Sequence, residues 1–377
     1  MAIDLSLDQE QQLLQQSASE LFARRCPPAV VRALEESELG YSPELWQEMA
    51  DLHWLGLTIL EEHGGTGGSF LDLFAVCEEV GRHLVPSPLI DTVGVAAAVL
   101  LSVGSDAQRR EHLPEIAAGR EVVSVAVVEP DGGFGPGAIS APAVRRNDGW
   151  VLNGTKLLVS FAAAADALLV AARTDGDRGA DGITLFLVDP RAPGVEVVAL
   201  ANIAGGSLAA VEMVDVELGP DQVVGEVGRG WAPLATAMTN AAVLQTATIV
   251  GAARAVLDMT NQYAKDREQF GSPIGRYQAV QYMVTDVLID LHRADLLARQ
   301  AAFRISSGRP AAREAAIAVA FGKRAAAHLH RQAHEVHAGV AFMVEHDLTL
   351  YSRRSKFWEN HLGDARYYEE LVAAATC

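Results

Sequence analysis

The sequence YAKDREQFGSPIGRYQAV, residues 263–280, lies between two long segments with helical periodicity and interrupts both. Its two glycines and its proline are residues that end helices and form turns. Arg267, Gln269 and Phe270 stand at this turn. On the residues alone, two interpretations stay open: these side chains contact a ligand or partner, or the arginine pairs with a nearby carboxylate and the aromatic ring belongs to the core.

Helical patterns extend on both sides of this turn. They are rich in alanine and low in charge over much of their surface, which suits a helix bundle packed on several sides. Several such faces are costly to leave in water, so the pattern also predicts an oligomer. The predicted helices of this part of the chain cover 232–266, 276–306, 311–338 and 346 to the end.

Upstream of these helices the periodicity changes to short β-rich runs. Asn153-Gly154, inside the second run, is a common two-residue hairpin signal and predicts a turn there. No helical pattern separates the runs, which predicts an antiparallel β-barrel or sandwich of about 100 residues. The predicted strands cover 122–128, 150–160, 167–172, 183–188, 195–200 and 211–218.

The first 118 residues are helical in pattern. Ser6 is placed to cap the first helix and Gln9 to complete its capping box. The sequence therefore predicts an α+β protein with an N-terminal all-α domain (1–118), a middle β-domain (119–223) and a C-terminal four-helix bundle (224–377). The later helices of the first domain are predicted at 43–55, 70–83, 88–103 and 105–118.

The composition is that of a globular protein without a nucleic-acid or membrane partner. Half of the 377 residues are hydrophobic, and 30 Lys and Arg against 48 Asp and Glu give a formal charge of −18, which disfavours nucleic acid and anionic membranes. The start of the chain lacks a signal peptide and the apolar runs are too short for a membrane span, so we expect a cytoplasmic protein. Cys26, Cys77 and Cys377 are too widely spaced for a metal cluster or a disulfide framework.

Four motifs in one order resemble the acyl-CoA dehydrogenase family. The most specific is DREQFGSPIG with Gln278, and the others are EEHGGTGGS (61–69), GWVLNGTK (149–156) and VHAGVAFMVEHDLTLYSRR (336–354). The resemblance implies a flavoprotein that binds FAD and desaturates an acyl-CoA thioester between its α and β carbons. A carboxylate takes the α proton and the β hydrogen leaves as hydride to flavin N5. It also implies a homo- or hetero-tetramer and an electron-transfer flavoprotein or similar acceptor.

By this resemblance, the turn at 267–270 serves a flavin that is bound mainly by a neighbouring subunit. Arg267 is expected on the pyrophosphate, because a guanidinium is always charged and forks onto phosphate oxygens. Gln269 and Phe270 are expected on the adenosine side.

The middle domain departs from the family pattern at two flavin motifs. In VVEPDGGFG (127–135) the family's threonine is Val128 and its serine is Phe134, so two polar contacts at this flavin-binding loop are replaced. In NGTKLLVS the family's tryptophan is Leu158, while Ser160 keeps the hydroxyl expected on flavin N5. The alternative for Ser160 is a half-buried strand serine.

The C-terminal motif departs as well. The family's glutamine on the flavin is Glu335, and of its glycines Gly339 is kept as an expected cofactor contact. An added negative charge near a pyrophosphate is unfavourable. His337 is better interpreted as structural than as catalytic, because many members of the family keep a histidine here without a catalytic role.

The expected catalytic base is absent from both of its usual places. The family's glutamate falls either on Leu362 or on Ala241, and neither accepts a proton. Asp364 is the nearest substitute carboxylate and Glu359 lies a turn earlier, although Asp364 is also a natural cap for the helix that follows.

Two hypotheses follow. The first is a working FAD-dependent acyl-CoA dehydrogenase, as one subunit of a hetero-oligomer, with Ser160 on the flavin and a relocated base such as Asp364. The second is a non-catalytic subunit that completes the flavin site of a homologous chain, as in the α2β2 bacterial members that act on steroid side-chain thioesters. The losses favour the second, because residues that act across an interface are kept while those of the chain's own site are altered.

Overall fold

The chain folds into helices around a central pair of β-sheets, which confirms the predicted α+β class. The structure is a computed structural model that describes residues 5–176 and 178–375, so Cys377 lies outside the described residues. The N-terminal helices are α1 (Gln9–Arg25), α2 (Pro28–Glu35), α3 (Pro43–Asp51), α4 (Phe70–Arg82), α5 (Ala98–Val103) and α6 (Asp106–Ala117).

Two details of the N-terminal helices differ from the prediction. Asp8, not Ser6, caps α1: its carboxylate accepts the backbone N–H of Gln11 at 2.9 Å, and Gln11 completes the capping box. The helix thus begins two residues later, about half a turn, than the sequence pattern indicated. The segment predicted as one helix over 88–103 begins with π-helical turns at Ile90–Ala97 before α5. Such wider turns are rare and often occur at functional sites.

The middle of the chain is a sandwich of two four-stranded sheets and not a closed barrel. One sheet has the order β1-β4-β5-β8 and the other β2-β3-β7-β6. Trp150 of the second sheet meets Phe186 of the first with ring centroids 5.9 Å apart. Among the described strands β1 and β4 pair in parallel, and the other strand neighbours in the two sheets are antiparallel. The strands are β1 (Val123–Ala126), β2 (Ala143–Arg146), β3 (Gly149–Ser160), β4 (Ala167–Arg173), β5 (Ile183–Val188), β6 (Val195–Ala199), β7 (Leu208–Leu218) and β8 (Val223–Val224).

The predicted hairpin at Asn153-Gly154 is wrong. The β2–β3 turn lies earlier, at residues 147 and 148, and strand β3 continues through Gly154 with a register shift at that point. The Asn153 amide explains the difference: it accepts the Asp215 N–H at 2.8 Å and donates to the Asp215 carboxylate at 3.2 Å. The dipeptide therefore holds a β-bulge against the neighbouring strand instead of a turn.

The C-terminal part is a helix bundle in which the predicted fourth helix is divided in two. Leu362 and Gly363, at φ +58° and +107°, break it. The hairpin formed by β9 and β10 projects between the first two long helices. The elements are α7 (Trp231–Asp266), β9 (Glu268–Gln269), β10 (Ser272–Pro273), α8 (Gln278–Ser306), α9 (Ala312–His337), α10 (Asp347–Trp358) and α11 (Ala365–Ala374).

Helix α7 crosses α4 in direct backbone contact. A Cβ atom at Gly81 would overlap the carbonyl oxygen of Thr248, and one at Gly251 would overlap that of Glu78. α7 is also long and apolar enough to cross a membrane by length and composition, but 78% of its most apolar window is buried inside the protein. It is the central helix of this fold.

Gly154 provides a test of the sheet geometry. Its φ is +134° and an added Cβ would lie 2.7 Å from the Ala141 Cβ, so we expect Gly154→Ala to destabilise the chain by about 1–3 kcal/mol. Gly132→Ala is the control, because Gly132 has φ +73° and no heavy atom within 4 Å of the added Cβ. Thermal unfolding compares the two, and equal midpoints would contradict the close contact at Gly154.

Candidate functional site

A cleft of about 70 Å³ lies where the sandwich, the π-helical turns, α7 and α10 meet. It is the place where a ligand would contact both the β-sheets and the helix bundle. Its walls are formed by Val80, Val85, Ser87, Pro88, Leu89, Ile90, Asp91, Ser160, Phe161, Gly205, Gly206, Ser207, Leu208, Gln245, Thr248, Arg354, Phe357, Trp358 and His361.

Four buried polar atoms on these walls have no hydrogen-bond partner among the described residues. They are Oγ of Ser87, Oδ1 of Asp91, Oγ of Ser160 and Nε of Arg354. Buried polar atoms are normally paired with protein or water, so a group of unpaired ones marks a place for a polar ligand or ordered water. The cleft therefore suits a molecule with both apolar and hydrogen-bonding parts.

Ser160, predicted to contact a flavin, is on this cleft. The residue is 4% exposed and its hydroxyl is one of the four unpaired atoms. Its carbonyl accepts the Ser124 hydroxyl at 2.7 Å, which fixes the end of β3. Leu158, in place of the family's tryptophan, has φ +56°, is 49% exposed and is not on the cleft walls.

The Val128 loop is held by a buried ion pair. The Val128 carbonyl accepts the Leu157 N–H at 2.8 Å. Glu129 contacts the Lys156 ammonium at 2.6 Å, with side chains 5% and 0% exposed. Burial by itself would raise the pKa of Glu129, but Lys156 together with the hydroxyl and backbone donors of residues 140 and 141 outweighs it and holds that pKa below its usual range. The Glu and Lys of the two family motifs thus fix the loop to β3.

Neither family position for the base carries a proton acceptor. Leu362 is 7% exposed and Ala241 is 0% exposed, both within the apolar core. The Asp364 carboxylate accepts the Tyr367 N–H at 2.7 Å and caps α11, and Glu359 pairs with Lys356 at 2.8 Å. Neither carboxylate lies on the cleft walls, and Asp364 as a base stays a prediction.

A buried polar network at the cleft was not predicted from the sequence. Gln245 donates to Nδ1 of His361 at 2.7 Å, and Nε2 of His361 lies 3.1 Å from Oδ1 of Asp91. The Lys323 ammonium donates to the Trp358 and His361 carbonyls at 2.7 and 2.8 Å. Burial lowers the pKa of Lys323 to about 7 against the opposing carboxylates of 364 and 359. The one local signal was Asp91, a charged residue in the apolar run IDTVGVAA (90–97).

The hairpin at 267–273 is far more exposed than a core element. Phe270 is 95% exposed and has φ +52°, followed by Gly271 at φ +76°. Its ring meets the edge of Tyr277, whose hydroxyl donates to the Gln269 carbonyl at 2.9 Å. The Arg267 guanidinium has no carboxylate within 4 Å among the described residues. The two sequence alternatives, an internal ion pair and a core ring, are therefore not what the hairpin forms.

The residues at the end of α9 divide into a buried histidine and an exposed edge. His337 is 1% exposed, donates from Nδ1 to the Ala333 carbonyl at 2.9 Å and stacks on Tyr263 with centroids 4.5 Å apart. Burial lowers the pKa of His337, in line with a structural role. Glu335 and Gly339 are exposed, as is an adjoining apolar segment with Phe342 at 73% and Val344 at 74%.

Three family models match consecutive parts of the chain. They are the acyl-CoA dehydrogenase N-terminal domain (residues 8–120), middle domain (124–216) and C-terminal domain (228–375). Together they span nearly the whole described chain.

Relatives and solved structures agree with these matches. The chain is 33% identical to acyl-CoA dehydrogenase FadE27 of Mycobacterium tuberculosis, over 90% of each chain. It is 31% identical to acyl-CoA dehydrogenase IpdE2 of Mycolicibacterium smegmatis, over 96% of each. It superposes with a TM-score of 0.90 on a chain of the ChsE4-ChsE5 complex from Mycobacterium tuberculosis, at 29% identity and 99% coverage of both chains.

Glu129→Gln is expected to lower the free energy of unfolding by about 3 kcal/mol near pH 7, because it leaves Lys156 buried without its partner. The folded-state pKa of Glu129 is lowered, so the carboxylate stabilises the fold above its unfolded-state pKa of about 4.3, and this contribution is lost as the pH falls through the lower folded-state value.

Unfolding of the wild type and the variant across this pH range measures the effect, and the difference between them should shrink in acid. Glu217→Gln is the matched control. Its pair with Arg146, at 3.6 Å, is exposed and should contribute less than about 1 kcal/mol. A difference between wild type and Glu129→Gln that stays constant in acid would contradict the role of the ion pair.

Proposed function

From the premise that this chain belongs to the acyl-CoA dehydrogenase family, whose members are oxidoreductases acting on the CH–CH group of acyl-CoA thioesters, we propose that it works as one subunit of a mixed oligomer. In that assembly the hairpin at 267–273 holds the FAD of a homologous neighbouring chain.

The exposed and strained hairpin carries this proposal. A phenylalanine in the left-handed region costs about 1–2 kcal/mol relative to an ordinary conformation, and Phe270 is 95% exposed there. Strain of this kind is found mostly at functional sites. Arg267 and Gln269, exposed beside it, give the hairpin the charge and amide that suit a phosphate and an adenosine.

The position of the hairpin argues for a site on another chain. It follows the end of α7, about 33 Å along the helix axis from Gln245 on the cleft, at the 1.5 Å rise per residue of an α-helix. α7 is packed on several sides, so the hairpin does not fold back to the cleft of its own chain. An arginine and an aromatic ring held there meet a ligand that a neighbour presents.

Exposed apolar side chains extend this surface to the outer face of α8 and to the segment after α9. Tyr282, Leu296, Phe342 and Val344 are each between 56% and 74% exposed. Large apolar side chains that are this exposed suit burial at an interface. The solved relative reported above, a complex of two differently named chains, supports an assembly with a homologous partner.

This chain lacks residues that the family uses at its own catalytic site, whereas the hairpin keeps the family's residues. Leu362 and Ala241 stand at both usual base positions, and Val128 and Phe134 replace two polar flavin contacts. This pattern supports the partner role. We propose a bulky acyl-CoA, such as a steroid side-chain thioester, as the substrate of the assembly and an electron-transferring flavoprotein as its acceptor.

A second function is favoured by the cleft. The unpaired Ser160 hydroxyl and three other unpaired atoms fit a flavin and a thioester on this chain as well, so the chain would itself desaturate an acyl-CoA. FAD bound there would supply the two-electron oxidation, taking the β hydrogen as hydride. Ser160 would then hold the flavin in place, and the surrounding apolar walls would exclude water.

The hairpin is tested by two substitutions in the assembly purified with its homologous partner. We expect Arg267→Gln to weaken FAD retention at least about tenfold, since a charge-assisted hydrogen bond contributes about 1.5–3 kcal/mol. Phe270→Gly should also lower FAD content, yet it should leave the free chain as stable as the wild type within about 1 kcal/mol, because relief of strain offsets the entropy of glycine.

FAD per chain and thermal unfolding of the free chain measure these effects. Arg191→Gln is the control, as its side chain is 72% exposed on the sandwich, away from the hairpin. Wild-type FAD content in both hairpin variants would rule out the proposed role. A homotetramer of this chain with full flavin and dye-reducing activity would exclude the need for a partner.

Ser160→Ala tests the second function. If this chain binds FAD in its cleft, the dissociation constant for FAD should rise about 3- to 10-fold, in line with a hydrogen bond of about 0.5–1.5 kcal/mol. The flavin-free chain should be no less stable, since the hydroxyl has no partner. Ser307→Ala is the control, because its hydroxyl is paired with the Phe303 carbonyl at 2.7 Å and the residue is not on the cleft walls, so FAD affinity should not change. FAD affinity unaffected by Ser160→Ala would reject a flavin at this wall.

A further inference from the structure

We infer that Asp91 is the proton acceptor of the cleft, in place of the glutamate that the family carries at the positions of Leu362 or Ala241. This inference rests on the second function above, in which the cleft of this chain takes an acyl-CoA thioester. The alternative is that the Asp91 carboxylate only joins the helices around it.

The Asp91 carboxylate is buried and incompletely paired. The residue is 3% exposed, on the cleft wall, and its Oδ1 accepts no hydrogen bond from the described residues. Nε2 of His361 lies 3.1 Å from that oxygen, but off the direction of a hydrogen bond. Burial of a carboxylate is costly unless it is paired, so an oxygen left unpaired beside a cavity indicates a function there.

The neighbours of Asp91 hold it where the family's base would act. His361 is the residue before Leu362, and Gln245 is one helical turn beyond Ala241. Gly94, a turn after Asp91, is so close to α7 that an added Cβ would lie 3.2 Å from the Ala241 Cβ. Residues next to Asp91 in the fold therefore adjoin both usual base positions.

The imidazole beside Asp91 is fixed in its orientation. Nδ1 of His361 accepts from the Gln245 amide at 2.7 Å, and the Gln245 carbonyl oxygen faces the Lys323 ammonium at 3.4 Å. Lys323 also binds the His361 carbonyl at 2.8 Å. Because Nδ1 accepts from Gln245, the ring proton is on Nε2, which faces Oδ1 of Asp91 at 3.1 Å. The imidazole therefore orients the carboxylate without closing a regular hydrogen bond to it.

The cleft also carries a residue that is expected to contact the flavin, the oxidant that the reaction needs. Ser160, whose unpaired hydroxyl is expected on the flavin, is on the same walls as Asp91. The α C–H bond of the thioester breaks and its proton goes to the Asp91 carboxylate. The electron pair of that bond would form the α,β double bond, and FAD held beside Ser160 would supply the oxidation that removes the β hydrogen with its electron pair.

The experiment measures exchange of the α hydrogens for deuterium, which reports the base without the redox step. The assembly, made with a partner chain whose own base is replaced by glutamine, is incubated in D2O with butyryl-CoA, octanoyl-CoA or a steroid-carboxyl-CoA. Mass spectrometry then follows deuterium in the thioester. Removal of a general base costs about 10²–10⁴-fold in rate, so we expect Asp91→Asn to slow exchange at least about 100-fold.

Two further variants separate chemistry from folding. Added formate should restore exchange in Asp91→Ala, since a small carboxylate fills the space, and a misfolded chain would not be rescued. Asp106→Asn is the matched control, because its side chain is 81% exposed on α6, and it should exchange at the wild-type rate.

The inference is overturned if the wild type exchanges none of the three probes, if Asp91→Asn slows exchange less than tenfold, or if Asp364→Asn abolishes it instead. These outcomes are distinct from failure of the hairpin role. FAD content of the partner, measured on the Arg267→Gln assembly, reports that role independently of exchange.

Discussion

The backbone contact between α4 and α7 is the constraint on which the rest of the structure depends. At Gly81 and Gly251 the two helices approach so closely that any side chain would overlap a carbonyl oxygen of the other. The crossing is reinforced by Glu78, 1% exposed, which contacts Arg254 at 3.1 Å and Arg299 at 2.9 Å. Glu78 of α4 thus pairs with arginines of α7 and α8 beside the crossing. The two glycines allow the helix backbones to touch there because they carry no side chain.

Helix α7 carries two separate features, one beside this crossing and one at its C-terminal end. Near the crossing, Gln245 and Thr248 face the cleft beside the sandwich. At the far end, the helix carries the projecting hairpin with Phe270. A single long helix therefore joins the chain's own cleft to the hairpin that we propose contacts a neighbouring chain. Because the cleft and the hairpin are separated along α7, the base positions near the cleft can change while the hairpin residues are kept.

The order of helices, sandwich and helices was predictable because hydrophobic periodicity is a local property. The hairpin motif was also predictable, since glycine and proline act within a few residues. Asn153-Gly154 misled because its outcome depended on a contact with Asp215, 62 residues away in sequence. The π-helical turns at Ile90–Ala97 have no sequence signal of their own, because every residue from Asp91 to Ala97 is buried and the run shows no periodicity.

The sequence by itself determined the family, the order of the three parts and the residues of the hairpin, because each depends on patterns that are contiguous along the chain. Only the tertiary structure decided that Asp364 caps a helix while Asp91 and His361 meet at the cleft. Those two residues are 270 positions apart along the chain, and each taken alone is an ordinary polar residue. Their proximity follows from the packing of α7 against its neighbours, which no local pattern encodes.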